Sequence, residues 1–279
     1  MPDKEFSIQR MILSTHLWLG ICGVICTWAT FVLLQQAVSV RYLAFVLAGT
    51  MTVYTFHGYR NMKAQQRDQD IIPTVPAYIR LALIAGGIAT MVLFLMLKRT
   101  NQLILLFPAL MALLYVVPIF KGRRLKDYPF IKILAIVVAW TMITYLIPVR
   151  SIPGWWNESG YNFLMLDRLL FFFALAIPFD IRDIQFDREH QLKTIPNTIG
   201  QDNSQNLALF SIFLAGGFMA MGTDALGIHE VVKIGILAVY ILVGVVIIQL
   251  KNRPGNGFYS WLIDGFLFLY GIVILFLSR

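Results

Sequence analysis

Asp180, Asp183 and Asp187 stand at i, i+3 and i+7, directly after the apolar run Leu169 to Ile177. At 3.6 residues per turn a helix would carry all three on one face, where close carboxylates repel one another unless a cation neutralises them. A divalent metal does so, and hard oxygen donors in small number suit Mg2+, which keeps several waters and is completed by substrate phosphate oxygens. Arg182, Arg188 and Lys193 interleave with the acids. They would hold further phosphate oxygens, Arg through paired hydrogen bonds and Lys as a point charge. Thr194, Pro196 and Gly200 predict an ordered turn after the cluster. The same residues would also serve as a solvated helix end with ordinary i, i+3 salt bridges.

Two further regions carry polar side chains at the ends of apolar runs. In Tyr115 to Lys132, five cations face the single acid Asp127. Lys121, Arg123 and Arg124 would clamp an anionic substrate, and topology alone would also collect positive charge there. In Tyr54 to Asp70, the residues Tyr54, His57 and Asn61 share a helical face, while Asp68 and Asp70 read as solvated charges further out. His16 falls inside the first apolar run, and His190 and His229 have no evident ligand partners. Cys22 and Cys26 lie four apart in that run and read as small packing residues.

The elements that must position these groups are membrane helices. The chain is 58% hydrophobic and 14% charged, with a mean hydropathy of +0.71, so its natural solvent is lipid. Spans are predicted near Ile12 to Leu34, Tyr42 to Tyr59, Ile79 to Leu97, Leu103 to Phe120, Phe130 to Val149, Leu169 to Phe186, Leu207 to Met221, Val231 to Leu250 and Phe258 to Leu277. The expected fold is therefore all-α: a polytopic bundle of nine transmembrane helices forming a single integral-membrane domain over residues 1–279. The first run is too long for a signal-peptide core and lacks a small-residue cleavage site, so it is expected to remain as a helix.

With the N-terminus inside, 16 of the 23 Lys and Arg fall on one side and 7, Arg168 among them, on the other. This bias places the N-terminus in the cytoplasm and the C-terminus outside, in a cytoplasmic or inner cell membrane. The net charge of +8 is explained by this topology and by anionic lipid headgroups, so no nucleic-acid partner is expected. No buried charge pair is expected at the bilayer midplane, which sets a secondary transporter last among possible functions.

The chain resembles the UbiA superfamily of intramembrane prenyltransferases. The resemblance rests on nine spans, the inferred orientation, and the DxxDxxxD pattern of Asp180, Asp183 and Asp187 continuing through Lys193, Thr194, Pro196 and Gly200. Tyr115 to Lys121 is similar, more loosely, to the family's fourth-span ending. The resemblance implies Mg2+ held by Asp180, Asp183 and Asp187, and a prenyl diphosphate held by Lys121, Arg124, Arg182, Arg188, Lys193 and Tyr115. It also implies transfer of the isoprenoid chain to a small lipophilic acceptor in the membrane. Family members carry a first NDxxD-type motif at the end of the second span; here that stretch offers Tyr54, Thr55, His57, Tyr59 and Asn61, with no carboxylate before Asp68. Tyr54, His57 and Asn61 would replace it by hydrogen bonding to diphosphate or acceptor. The alternative is a non-catalytic scaffold that binds an isoprenoid or quinone lipid.

Overall fold

The computed structural model describes residues 8–68, 75–117, 128, 130–189, 194–252 and 259–278, and the regular structure among them is entirely helical. The helices are α1 (Ile8–Ser14), α2 (Leu17–Leu33), α3 (Val40–Asp68), α4 (Ala77–Leu95), α5 (Arg99–Val116), α6 (Ile131–Thr141) and α7 (Ile147–Val149). They continue with α8 (Ser159–Arg182), α9 (Ile184–Glu189), α10 (Ile195–Ile199), α11 (Gln201–Ala225), α12 (Glu230–Ile248) and α13 (Asp264–Leu277). Among the described residues four stretches are long and apolar enough to cross a bilayer, Ala77–Leu95, Ile131–Val149, Gln201–Ala225 and Glu230–Ile248, and Leu17–Leu33, Arg99–Tyr115 and Trp261–Leu277 are shorter apolar helices. Leu81, Ile84, Ile88, Met91 and Leu95 stand exposed along α4, and Ile234, Ile241 and Ile248 along α12. Such apolar faces are stable in hydrocarbon and costly in water, so the protein is membrane-embedded.

Local chemistry explains the irregular points. Pro148 has no N–H to donate, and its ring would clash with the carbonyl four residues back; the chain accommodates it by widening to a π-helical turn over Met142–Leu146. Pro178 lies inside α8, which nevertheless runs on to Arg182. The first predicted span is divided, because His16 takes a left-handed backbone (φ 52) between α1 and α2. That conformation is uncommon for a residue with a Cβ.

The chain divides into two compact units, Met1–Val24 with Ser39–Gln102, and Ile25–Val38 with Leu103–Arg279. In the first, α3 packs on α4, and the hydroxyls of Thr52 and Thr90 meet at 3.2 Å. Gln102 Nε2 donates to the carbonyls of Phe94, Leu95 and Leu97, closing the end of α4. In the second, α8 is the central element, packed along α11 and against α6. Glycines bring α8 and α11 together: a Cβ on Gly222 would lie 2.8 Å from the side chain of Leu164 and 3.0 Å from the carbonyl oxygen of Gly160. The backbone oxygen cannot move aside cheaply. Gly222→Ala is therefore expected to cost about 1–3 kcal/mol, read as a lowered unfolding midpoint in detergent.

Candidate functional site

Asp180 lies on the last turn of α8 and is 3% exposed. Lys132, in the first turn of α6, meets it with Nζ 2.6 Å from Oδ1. The backbone enters α6 through Phe130 at φ 61, a left-handed conformation that a bulky residue rarely adopts. Lys132 is a site residue that sequence reasoning counted only as a loop charge. Its position two residues into an apolar helix was the available signal, since a Lys stem can lie along apolar surface with its ammonium at a polar end.

The shared-face expectation for the three acids meets a break in the helix. Asp183 caps α8 (φ −88, ψ 7) and α9 restarts at Ile184. The Asp183 carboxylate accepts two bonds from the adjacent Arg182, Nε to Oδ1 at 2.7 Å and Nη2 to Oδ2 at 2.9 Å. Arg182 is further held over the rings of Phe179 (5.3 Å) and Tyr259 (5.5 Å). Asp187, in α9, is buried, and the Thr194 hydroxyl stands beside its carboxylate as a hydrogen-bond partner. Burial pushes the Asp187 carboxyl up, against the pull of Lys132, and Asp180 and Asp183 push it further.

Tyr115, near the end of α5, lies within electrostatic reach of Lys132 and of Asp180, Asp183 and Asp187. The structure thus brings together Tyr115, Lys132, Asp180 and Asp187, with Asp183 and Arg182 forming a neighbouring pair. Arg188 turns away to donate to Asn197 Oδ1 at 3.2 Å. Lys121, Arg124 and Lys193 lie outside the described residues. Among the described residues no three His, Cys, Asp or Glu side chains converge as a ready metal cage. Two buried carboxylates, Asp180 and Asp187, with the Thr194 hydroxyl beside Asp187, are nonetheless oxygen donors of the hard kind that Mg2+ takes. That ion uses one or two carboxylates and takes its other ligands from water and phosphate.

In the first unit, Tyr54 stands between two imidazoles, with ring centroids 5.8 Å from His16 and 6.2 Å from His57. Thr55 Oγ1 donates to the Thr15 carbonyl at 2.9 Å, tying α3 to the α1–α2 break. Asn61 lies on α3, its side chain outside the described residues, as is Asp70. His16 joins this group although the sequence marked it only as a residue inside a span.

Two charged residues lie buried inside the bundle. Asp167 and Arg168 are each 1% exposed within α8, so Arg168 is a bundle residue and not an outer-loop charge. Its Nη2 donates to Tyr270 Oη at 2.9 Å and its Nη1 to Cys26 Sγ at 3.0 Å. Its guanidinium lies 4.6 Å from the centroid of the Tyr270 ring. Asp167 accepts a hydrogen bond from Tyr240, while Asp167 Oδ2 and Arg168 Nε are unpartnered among the described residues. A run that begins at Leu169 concealed them, because an Asp-Arg pair beside an apolar segment reads as its boundary. The tyrosines at positions 145, 240 and 270 were the signal, since buried charges need polar partners inside the bundle.

No family model matches the sequence, and no curated protein does. Solved structures match over nearly the whole chain. A digeranylgeranylglyceryl phosphate synthase is similar at 15% identity and a TM-score of 0.61, covering 97% of this chain and 96% of its own. A UbiA homologue from Archaeoglobus fulgidus, bound to GPP and Mg2+, is similar at 13% identity and a TM-score of 0.58, covering 94% and 99%. The apo UbiA homologue from Aeropyrum pernix K1 is similar at 16% identity and a TM-score of 0.59, covering 93% and 95%. The chain has the fold of the UbiA prenyltransferases, as the resemblance in sequence implied.

Proposed function

We propose that this protein is a member of the UbiA superfamily that transfers an isoprenoid chain from a prenyl diphosphate to a small lipophilic acceptor. The observation that carries the reading is the cluster at the end of α8, where Asp180, Asp187, Lys132 and Tyr115 gather polar groups at the end of an apolar bundle. The fold shared with a GPP- and Mg2+-bound homologue supports the same assignment. Nine spans, a cytoplasmic N-terminus and an external C-terminus complete the proposal.

Asp180 and Asp187 would hold Mg2+, which when bound supplies positive charge against the diphosphate. Arg182, fixed by Asp183 and two aromatic rings, presents a stationary positive charge to the phosphate oxygens, and Tyr115 offers a hydroxyl donor. In the reaction the allylic C1–O bond breaks with its electron pair leaving on the diphosphate. A bond from the acceptor nucleophile to C1 forms, and the displaced proton leaves with the pyrophosphate. Preorganised donors aimed at the departing oxygens lower the barrier because their orientation is set before the charge develops.

A second reading, a lipid-binding scaffold without turnover, is favoured by one feature: α3 carries no carboxylate before Asp68. Purified protein is to be supplied with geranyl, farnesyl and geranylgeranyl diphosphates and a panel of quinone-precursor and glycerol-phosphate acceptors, with and without Mg2+. Release of pyrophosphate matched by prenylated product is the expected result. Prenyl-lipid binding with no turnover, unchanged in Asp180→Ala, would establish the scaffold instead.

A further inference from the structure

The two cations of the site are held in different ways. Arg182 makes two parallel bonds to Asp183 and lies over two aromatic rings, so its planar group is fixed in both position and orientation. Among the described residues Lys132 makes one ion pair, Nζ to Asp180 Oδ1 at 2.6 Å, with its side chain 19% exposed and that of Asp180 4% exposed. An ammonium on a flexible stem is a point charge with three donors and can exchange one acceptor for another. Its Asp180 contact therefore occupies the buried carboxylate proposed above to receive a divalent ion.

We propose that Lys132 is a placeholder for the metal: it neutralises Asp180 in the donor-free protein, is displaced from that carboxylate when a divalent cation binds, and then pairs with the donor's diphosphate. This rests on the functional reading above and adds the order in which charges are exchanged. An ammonium and a divalent ion cannot share one carboxylate oxygen without strong repulsion. Lys132 also stands within electrostatic reach of Asp187 and Tyr115, so its charge acts on the whole polar cluster. One ammonium against two carboxylates leaves that group net negative and a poor receptor for diphosphate. A divalent ion together with the released ammonium reverses the sign. Arrival of the metal is thereby made a condition for donor binding.

The test measures binding, not turnover. Mn2+ is titrated into purified protein without donor and followed by electron paramagnetic resonance, and pyrophosphate is then titrated at saturating Mn2+. Lys132→Met is expected to bind Mn2+ about tenfold more tightly than wild type, because the competing cation is gone, and pyrophosphate at least tenfold more weakly. Lys132→Gln, which keeps a polar end and tests the same point should the methionine variant misfold, is expected to shift both constants in the same directions. Lys132→Arg is expected to retain competition for Asp180. Unchanged or weaker Mn2+ binding in Lys132→Met and Lys132→Gln overturns the proposal, even where prenyl transfer is observed. The opposite shifts without transfer from any donor would uphold the exchange and overturn the assigned reaction.

Discussion

Asp180→Asn is expected to reduce prenyl transfer by on the order of a hundred- to a thousandfold, with no comparable loss in Asp183→Asn. The two positions are three residues apart and chemically identical, but their surroundings differ. Asp180 is buried and meets a cation from another helix, whereas the Asp183 side chain is 37% exposed and binds the guanidinium next to it in sequence. Removing the first charge takes away a carboxylate of the proposed metal site and leaves the Lys132 ammonium without its acceptor. Removing the second disturbs an exposed pair of a kind worth roughly 0–1 kcal/mol. Initial rates at saturating donor, alongside a binding isotherm for pyrophosphate, separate these outcomes. Equal losses at the two positions would mean that the acids act together on one face, as their spacing alone implied.

The largest effect on stability is expected at Arg168. Arg168→Met should lower stability by about 3–5 kcal/mol, since it leaves the buried Asp167 charge without a compensating cation inside the bundle. The double variant Asp167→Asn, Arg168→Met should recover most of that loss, because a buried ionic group replaced as a whole is often neutral or stabilising. Unfolding midpoints in a single detergent, measured for both singles and the double, give the coupling directly. Additive losses would show that Asp167 and Arg168 act independently through Tyr240 and Tyr270. The adjacent residues make no direct ion pair among the described residues, but their charges act on each other through space, and each is held by a different tyrosine, Asp167 by Tyr240 and Arg168 by Tyr270.

The parts of this fold visible in the sequence are those governed by local chemistry. Long apolar runs bounded by charges located the helices, because backbone polar groups in lipid must be satisfied within the segment. The aspartate spacing directed attention to the end of α8. What remained hidden depended on tertiary proximity. Lys132 and Asp180 are 48 residues apart, and periodicity within either helix does not reveal their meeting. The divided first helix was equally hidden, since a left-handed turn at His16 has no sequence marker of the kind glycine provides. Arg168 was misplaced because counting loop charges treats every cation at the end of an apolar run as lying outside the lipid. Its burial removes it from the loop charges on which the expected orientation was counted.

The break at Asp183 also determines where a change in charge can be absorbed. Upstream of it, α8 is pressed against α11 at Gly222 and tied through Arg168 to Tyr270 and Cys26, contacts that restrain it along its length. Downstream, α9 is a six-residue helix whose amide at Asp187 bonds back to the Asp183 carbonyl at 2.9 Å. A mechanical joint between a stiff element and a short one concentrates deformation in the short one. In the proposed metal site Asp180 would therefore be the fixed jaw and Asp187 the compliant one, following ions of different radius without transmitting the displacement along the bundle.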